Sequence, residues 1–263
     1  MWWLAQAGFA FKSDAGAVIY LDPYLSDAVE AVAGFKRLSL APIAADDVAA
    51  DWVMSTHEHP DHLDPDALPV VARNNPGCCF AGSAACAPAY GRWRIPPERQ
   101  LIMGSGKTYA LGEVTVCTSR ADHGELAPTA LALLLDFGRV SVMATGDTGL
   151  NLEFLQPLIA RKPDVLLACI NGSFGNLNAT EAAQLAAATK PRVVVPCHFW
   201  MFKEHHVVEH GDPETFVRAC AELCPSVGVE LLSPGQGMMV SARSMEMIKQ
   251  HPEEENGEDT EIR

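Results

Sequence analysis

The stretch Thr56-His57-Glu58-His59-Pro60-Asp61-His62 follows directly on a short apolar run, Trp52-Val53-Met54-Ser55. Five of its seven residues can bind a metal ion or handle a proton, and three of the chain's nine histidines fall in it. The apolar run reads as a buried strand. The histidines therefore sit on a loop leaving a strand end, where open α/β architectures place their sites. His57 and His59 are two apart in extended backbone, so they point the same way and can share one ion. Asp61 and His62, past the corner at Pro60, can turn toward a second ion close by. Imidazoles and carboxylates without thiolate suit zinc, manganese or iron. The plain alternative is a polar surface loop without metal, and the density of histidine argues against it.

Working outward, three more residues of the same chemistry stand just after apolar runs. His123 lies in Arg120-Ala121-Asp122-His123-Gly124 after a strand at 114–118. Asp147 lies in Ala144-Thr145-Gly146-Asp147-Thr148-Gly149 after a strand at 140–144, with glycines that permit close backbone approach. His198 follows Val193-Val194-Val195-Pro196-Cys197. Further strands are expected at 2–4, 9–11, 18–21, 130–137 and 165–170, and a helical stretch at 42–50. Residues 152–159, 180–189 and 213–223 read as helices, the second capped by Asn178 with Glu181 completing a capping box. Strands crowd the first half and β–α alternation the second. That pattern predicts two packed sheets with helices outside, an αββα layering in one α/β domain over residues 1–243.

The order His-x-His-x-Asp-His, His, Asp, His resembles the metallo-β-lactamase superfamily of metal-dependent hydrolases. That resemblance runs from Trp2 to about Gly237 and implies the four-layer αββα sandwich of that type. It also implies a ligand set: His57, His59 and His123 on a first metal, Asp61, His62 and His198 on a second, and Asp147 bridging. The segments Met1 to Phe9, Ile170 to Asn178 and Pro191 to His198 are similar to the L-ascorbate-6-phosphate lactonase-like branch, whose members open a sugar-phosphate lactone and are linked to manganese. The implied function is opening of a lactone by metal-bound hydroxide, since a bound cation lowers the pKa of water toward about 7. One or two divalent ions are implied, manganese or zinc, with iron also accepted. Asp61 is the expected catalytic acid–base group. Arg120, Lys203 and the Gly172 to Asn178 loop with Asn176 are candidates to bind an anionic small-molecule substrate. The resemblance leaves a homo-oligomer open.

The chain has 263 residues, 48% of them hydrophobic, enough to bury a full core. Its net charge of −14 and the lack of a basic stripe argue against nucleic acid and anionic membranes as partners. They also count against a nuclease. A phosphodiesterase acting on a small phosphodiester is the main rival, and a metal-binding module without catalysis the third. Part of the charge lies in residues 244–263, which read as an acidic, solvated tail without fixed structure. No apolar stretch approaches the roughly 18 residues of a membrane span, and Met1-Trp2-Trp3-Leu4 lacks the basic start of a signal peptide. The eight cysteines form no CxxC pair and read as reduced, buried thiols, which points to the cytoplasm. His205, His206 and His210 are read as surface or oligomer contacts.

Overall fold

The structure, a computed structural model, describes residues 1–203, 211–242 and 244–247. His205, His206, His210 and residues 248–263 lie outside these. The first sheet takes β1 (Trp2–Trp3), β2 (Phe9–Lys12), β3 (Val18–Leu21), β4 (Trp52–Ser55), β5 (Cys79–Ser83) and β6 (Gln100–Met103), side by side in that order. It is antiparallel as far as β3 and parallel from β3 to β6. The second sheet takes β7 (Thr108–Leu111), β8 (Val114–Arg120), β9 (Leu131–Asp136), β10 (Ser141–Ala144), β11 (Val165–Cys169), β12 (Val193–Cys197) and β13 (Gly228–Val229). It repeats the plan, antiparallel from β7 to β10 and parallel beyond.

The period-2 alternation of each strand sorts its side chains between two faces. Phe9, Phe11, Ile19, Leu21 and Met54 of the first sheet meet Leu133, Leu135, Val165, Leu167 and Val195 of the second in one core cluster. The intervening residues turn outward. Tyr20, Val53 and Phe80 pack under α2 (Ala67–Asn74) and α3 (Ala87–Arg92). Leu134, Leu166 and Val194 pack under α4 (Leu152–Ile159), α5 (Ala179–Thr189) and α6 (Pro213–Leu223). The result is the expected αββα order of layers. Each fully buried Leu or Phe stabilises it by about 1.5–3 kcal/mol.

Asn178 caps α5, and its capping box with Glu181 is complete. The helix expected at 42–50 is instead a single 3₁₀ turn, Ala45–Asp47. Asn75 diverts the backbone there: its Oδ1 accepts from Ala50 N–H at 3.2 Å and its Nδ2 donates to Val48 C=O at 2.8 Å. The short α1 (Ala28–Ala33) was not foreseen. Past residue 243, Met245–Met247 forms β15 against β14 (Met238–Val240). Regular structure thus enters the segment read as tail, because Met245 packs on the inter-sheet core.

Candidate metal centre

Strand ends of both sheets converge on one site. The loop after β4 brings His57, His59, Asp61 and His62; the loops after β8, β10 and β12 bring His123, Asp147 and His198. Their ligand-type atoms form two groups, each within 4.8 Å: His57, His59, His123 and Asp147, and Asp61, His62 and His198. Asp147 stands between the groups. Its Oδ1 lies 3.2 Å from His62 Nε2 and 3.1 Å from His198 Nε2, and its Oδ2 lies 3.8 Å from His123 Nε2. Asp61 Oδ2 is 3.4 Å from His198 Nε2 and 3.7 Å from His62 Nε2.

Neighbouring groups set the orientation of several of these side chains. Asp22, at the end of β3, accepts from Thr56 N–H and Thr56 Oγ1, both at 2.7 Å. Its Oδ2 is also 2.8 Å from His62 Nδ1. A proton kept on Nδ1 for that bond turns the Nε2 lone pair of His62 to the centre once Nε2 gives up its own proton. In the same way His59 Nε2 lies 3.2 Å from Leu126 C=O, which leaves Nδ1 turned toward His57 Nε2 at 2.9 Å. Asp64, fully buried, accepts from Leu25 N–H, Ser26 N–H and Ala67 N–H, each at 2.9 Å, and pins the chain just past His62. The Asp147 turn needs its glycine: Gly146 has φ +57°, and a Cβ there would lie 3.0 Å from Leu131 C=O and 3.1 Å from Thr56.

Charge divides the two groups. Burial pushes His57 well below the usual imidazole range, helped by the neighbouring His62 charge, and burial also lowers His123. For His62 burial acts downward too, but Asp147, Asp22 and Asp61 outweigh it and raise the group well above that range. His198 is raised to about 9 against burial, through Asp147 and Asp61. Burial would raise both carboxyls, yet His62 and His198 hold Asp61 and Asp147 below the usual carboxylate range. Metal-free, His57 and His123 are neutral imidazoles, whereas protons on His62 and His198 hold the second group to its carboxylates.

The donor set fits a cation. Both nitrogens of His123 are buried without a hydrogen-bond partner, which costs about 1–3 kcal/mol per group unless something satisfies them. All donor atoms in both groups are imidazole nitrogen or carboxylate oxygen, a set for a borderline or hard divalent ion.

The expected substrate-binding residues lie differently. Arg120 places its guanidinium 4.4 Å over the Phe154 ring of α4. Lys203 is exposed, and its main-chain N–H bonds Lys36 C=O. Among the described residues no Lys or Arg forms an ion pair with any of the seven. Asn176 does reach the centre, but its Nδ2 donates to Asp147 Oδ2 at 2.8 Å. The amides of Gly172, Asn176, Leu177 and Asn178 bond within the protein, so these four do not cradle an anion. Met201 and Phe202 are core, with Tyr24 and Val29. Asp22 is not among the site residues expected from the sequence; an acid directly after a buried strand was the available signal.

Residues 1–198 match the family model described as a beta-lactamase superfamily domain. A UPF0173 metal-dependent hydrolase of Methanopyrus kandleri is 30% identical over 242 residues, spanning 89% of this chain and 96% of that protein. Another, of Archaeoglobus fulgidus, is 28% identical over 245 residues, with the same shares of 89% and 96%. Among solved structures, Igni18, a metallo hydrolase from Ignicoccus hospitalis, shares the fold with a TM-score of 0.68 at 20% identity, over 95% of this chain and 98% of that one. Fold, donor set and relatives together define a metal-dependent hydrolase. The chain belongs to the metallo-β-lactamase superfamily and, within it, to the UPF0173 metal-dependent hydrolase family.

Proposed function

We propose that this hydrolase opens a lactone, a small cyclic ester, at a centre of one or two divalent ions. His57, His59, His123 and Asp147 would hold one ion, and Asp61, His62 and His198 the other, with Asp147 shared. The observation that carries this reading is the convergence of seven imidazole and carboxylate side chains in two groups around one buried carboxylate. Manganese, zinc and iron all suit such donors. When bound, such an ion lowers the pKa of water toward about 7 and polarises an ester carbonyl.

The chain's own residues supply the rest. Asp61 is ionised, and its side chain is 16% exposed against 6% for Asp147, so it is the carboxylate nearer the mouth. It is placed to take a proton from water and return it to the leaving alkoxide, which in a lactone stays on the same molecule. Asn176 fixes Asp147, and Asp22 fixes the tautomer of His62. Among the described residues no Lys or Arg pairs with the centre, so a phosphodiester would have only the ions to hold its charged oxygens, which favours an ester. All eight cysteines are free and seven are buried, which suits a reducing cytoplasm. Among the described residues no helix is long and apolar enough to cross a membrane.

The test is proton release at constant pH by manganese-loaded protein, offered in turn an uncharged lactone, a sugar-phosphate lactone and a small phosphodiester. Turnover of a lactone is expected, with a loss of at least about 100-fold in Asp61→Asn, the scale of lost acid–base help. Turnover of the phosphodiester with silence on both lactones would overturn the reading.

A further inference from the structure

The turn between β1 and β2 adds a residue to the centre that no motif marks. Ala5 and Gln6 both adopt positive φ, 72° and 50°, where glycine is the unstrained choice. Strain of this kind persists only where its surroundings hold it, and it concentrates at functional sites. Gln6 is 1% exposed. Its main-chain carbonyl accepts from His198 N–H at 2.8 Å and from Trp3 Nε1 at 2.9 Å. Its carboxamide Nε2 donates to Asp61 Oδ2 at 2.7 Å and lies 3.2 Å from His198 Nε2. One side chain thus meets two members of the second group, 55 and 192 positions away in the chain.

These contacts act differently once an ion is present. An imidazole nitrogen that ligates has no lone pair left for Gln6. The bond to Asp61 survives ligation, because a carboxylate has further lone pairs to accept it. A neutral donor there stops the carboxylate rotating and adds no competing charge.

We propose that Gln6 is a positioning residue of the second half of the centre. Its carboxamide fixes the Asp61 carboxylate and thereby raises the affinity for the second ion. This rests on the reading of Asp61 and His198 as ligands. Gln6→Met tests it, keeping length and apolar burial, removing both N–H donors and leaving the main-chain carbonyl in place. Gln6→Asn, which withdraws the amide by one methylene, is a second variant that keeps a polar side chain. Trp3→Phe is the control, since it removes the Trp3 Nε1 hydrogen bond to the same turn without touching Asp61.

Binding of Mn²⁺ and of Zn²⁺ would be measured by titration calorimetry, with unfolding midpoints taken alongside. Both Gln6 variants are expected to weaken the second ion by about 10- to 100-fold, the usual effect of losing an outer partner of a ligand. The first ion should stay within about twofold, and Trp3→Phe should leave both ions unchanged. Second-ion binding by the Gln6 variants equal to that of wild type would overturn the proposal. So would an equal loss in Trp3→Phe, which would make the turn merely structural. A wild-type protein that takes up no second ion would instead overturn the ligand reading itself, and the proposal with it.

Discussion

Asp22→Asn changes which atoms face His62 and Thr56 and removes one of the three negative charges that raise His62. In the native site Asp22 Oδ1 accepts from Thr56 N–H, while Oδ2 is shared by Thr56 Oγ1 and His62 Nδ1, at 2.7 and 2.8 Å. The amide keeps an oxygen for the backbone N–H and turns an NH₂ toward His62. That donor needs an acceptor, so the imidazole gives up its Nδ1 proton and keeps the one on Nε2. The lone pair then points away from the centre and an N–H points into it, 3.2 Å from Asp147 Oδ1. An ion must reverse that tautomer to bind. The expected penalty is about 10- to 100-fold in affinity, or about 1.4–2.7 kcal/mol, and it falls on the second ion because His62 belongs to that group. Titration calorimetry with Zn²⁺ reads the affinity, and the nitrogen chemical shifts of the His62 ring read the tautomer. A variant that binds its second ion as tightly as wild type, with Nδ1 still protonated, would refute the role of Asp22.

Three further outcomes follow from the same geometry. His198 is raised to about 9, so ion binding must expel its proton. Second-ion affinity should therefore fall about tenfold per pH unit as pH drops below 9, and more steeply if His62 loses a proton too. His57 and His123 are shifted the other way, so the first ion should show a shallower pH dependence than the second. Equal slopes for both ions would contradict the charge assignment. Gly146→Ala places a Cβ at positive φ against Leu131 C=O and should destabilise by at least about 1–3 kcal/mol in urea unfolding. Asn178→Ala removes the cap of α5 and should cost about 1 kcal/mol with metal content unchanged; loss of metal would show that the cap also holds the Asn176 loop.

What could be read from sequence was whatever carries its own spacing. The histidine loop, the period-2 strands of the second sheet and the capping box at Asn178 are local patterns. The structure brings all seven of the expected His and Asp side chains together. Helices α2 and α3 escaped because eight and six residues, with Pro69, Pro88 and Gly91 among them, show too little periodicity. The 42–50 segment misled because its backbone is bonded to Asn75, a partner across the fold that no window reveals. Gln6 and Asp22 were invisible for the same reason: a lone amide and a lone acid gain meaning only from partners 34 to 192 residues away. Arg120 looked like an anion contact because it flanks His123, yet Phe154 claims its guanidinium.

Each group in the centre draws side chains from both sheets. His57 and His59 come from the first and His123 and Asp147 from the second; Asp61 and His62 face His198 in the same way. An ion held there is a rivet through the sandwich. It joins stretches of chain otherwise related by apolar contact between the layers and a few hydrogen bonds such as that from His198 N–H to Gln6 C=O. It binds the folded form alone, so at a free concentration 100 times its dissociation constant it adds about 2.7 kcal/mol. That is comparable to a disulfide, but it can be withdrawn. In a cell starved of metal this protein would lose its reactive site and its mechanical fastening in one event, and would be marked for turnover by the same shortage that silences it.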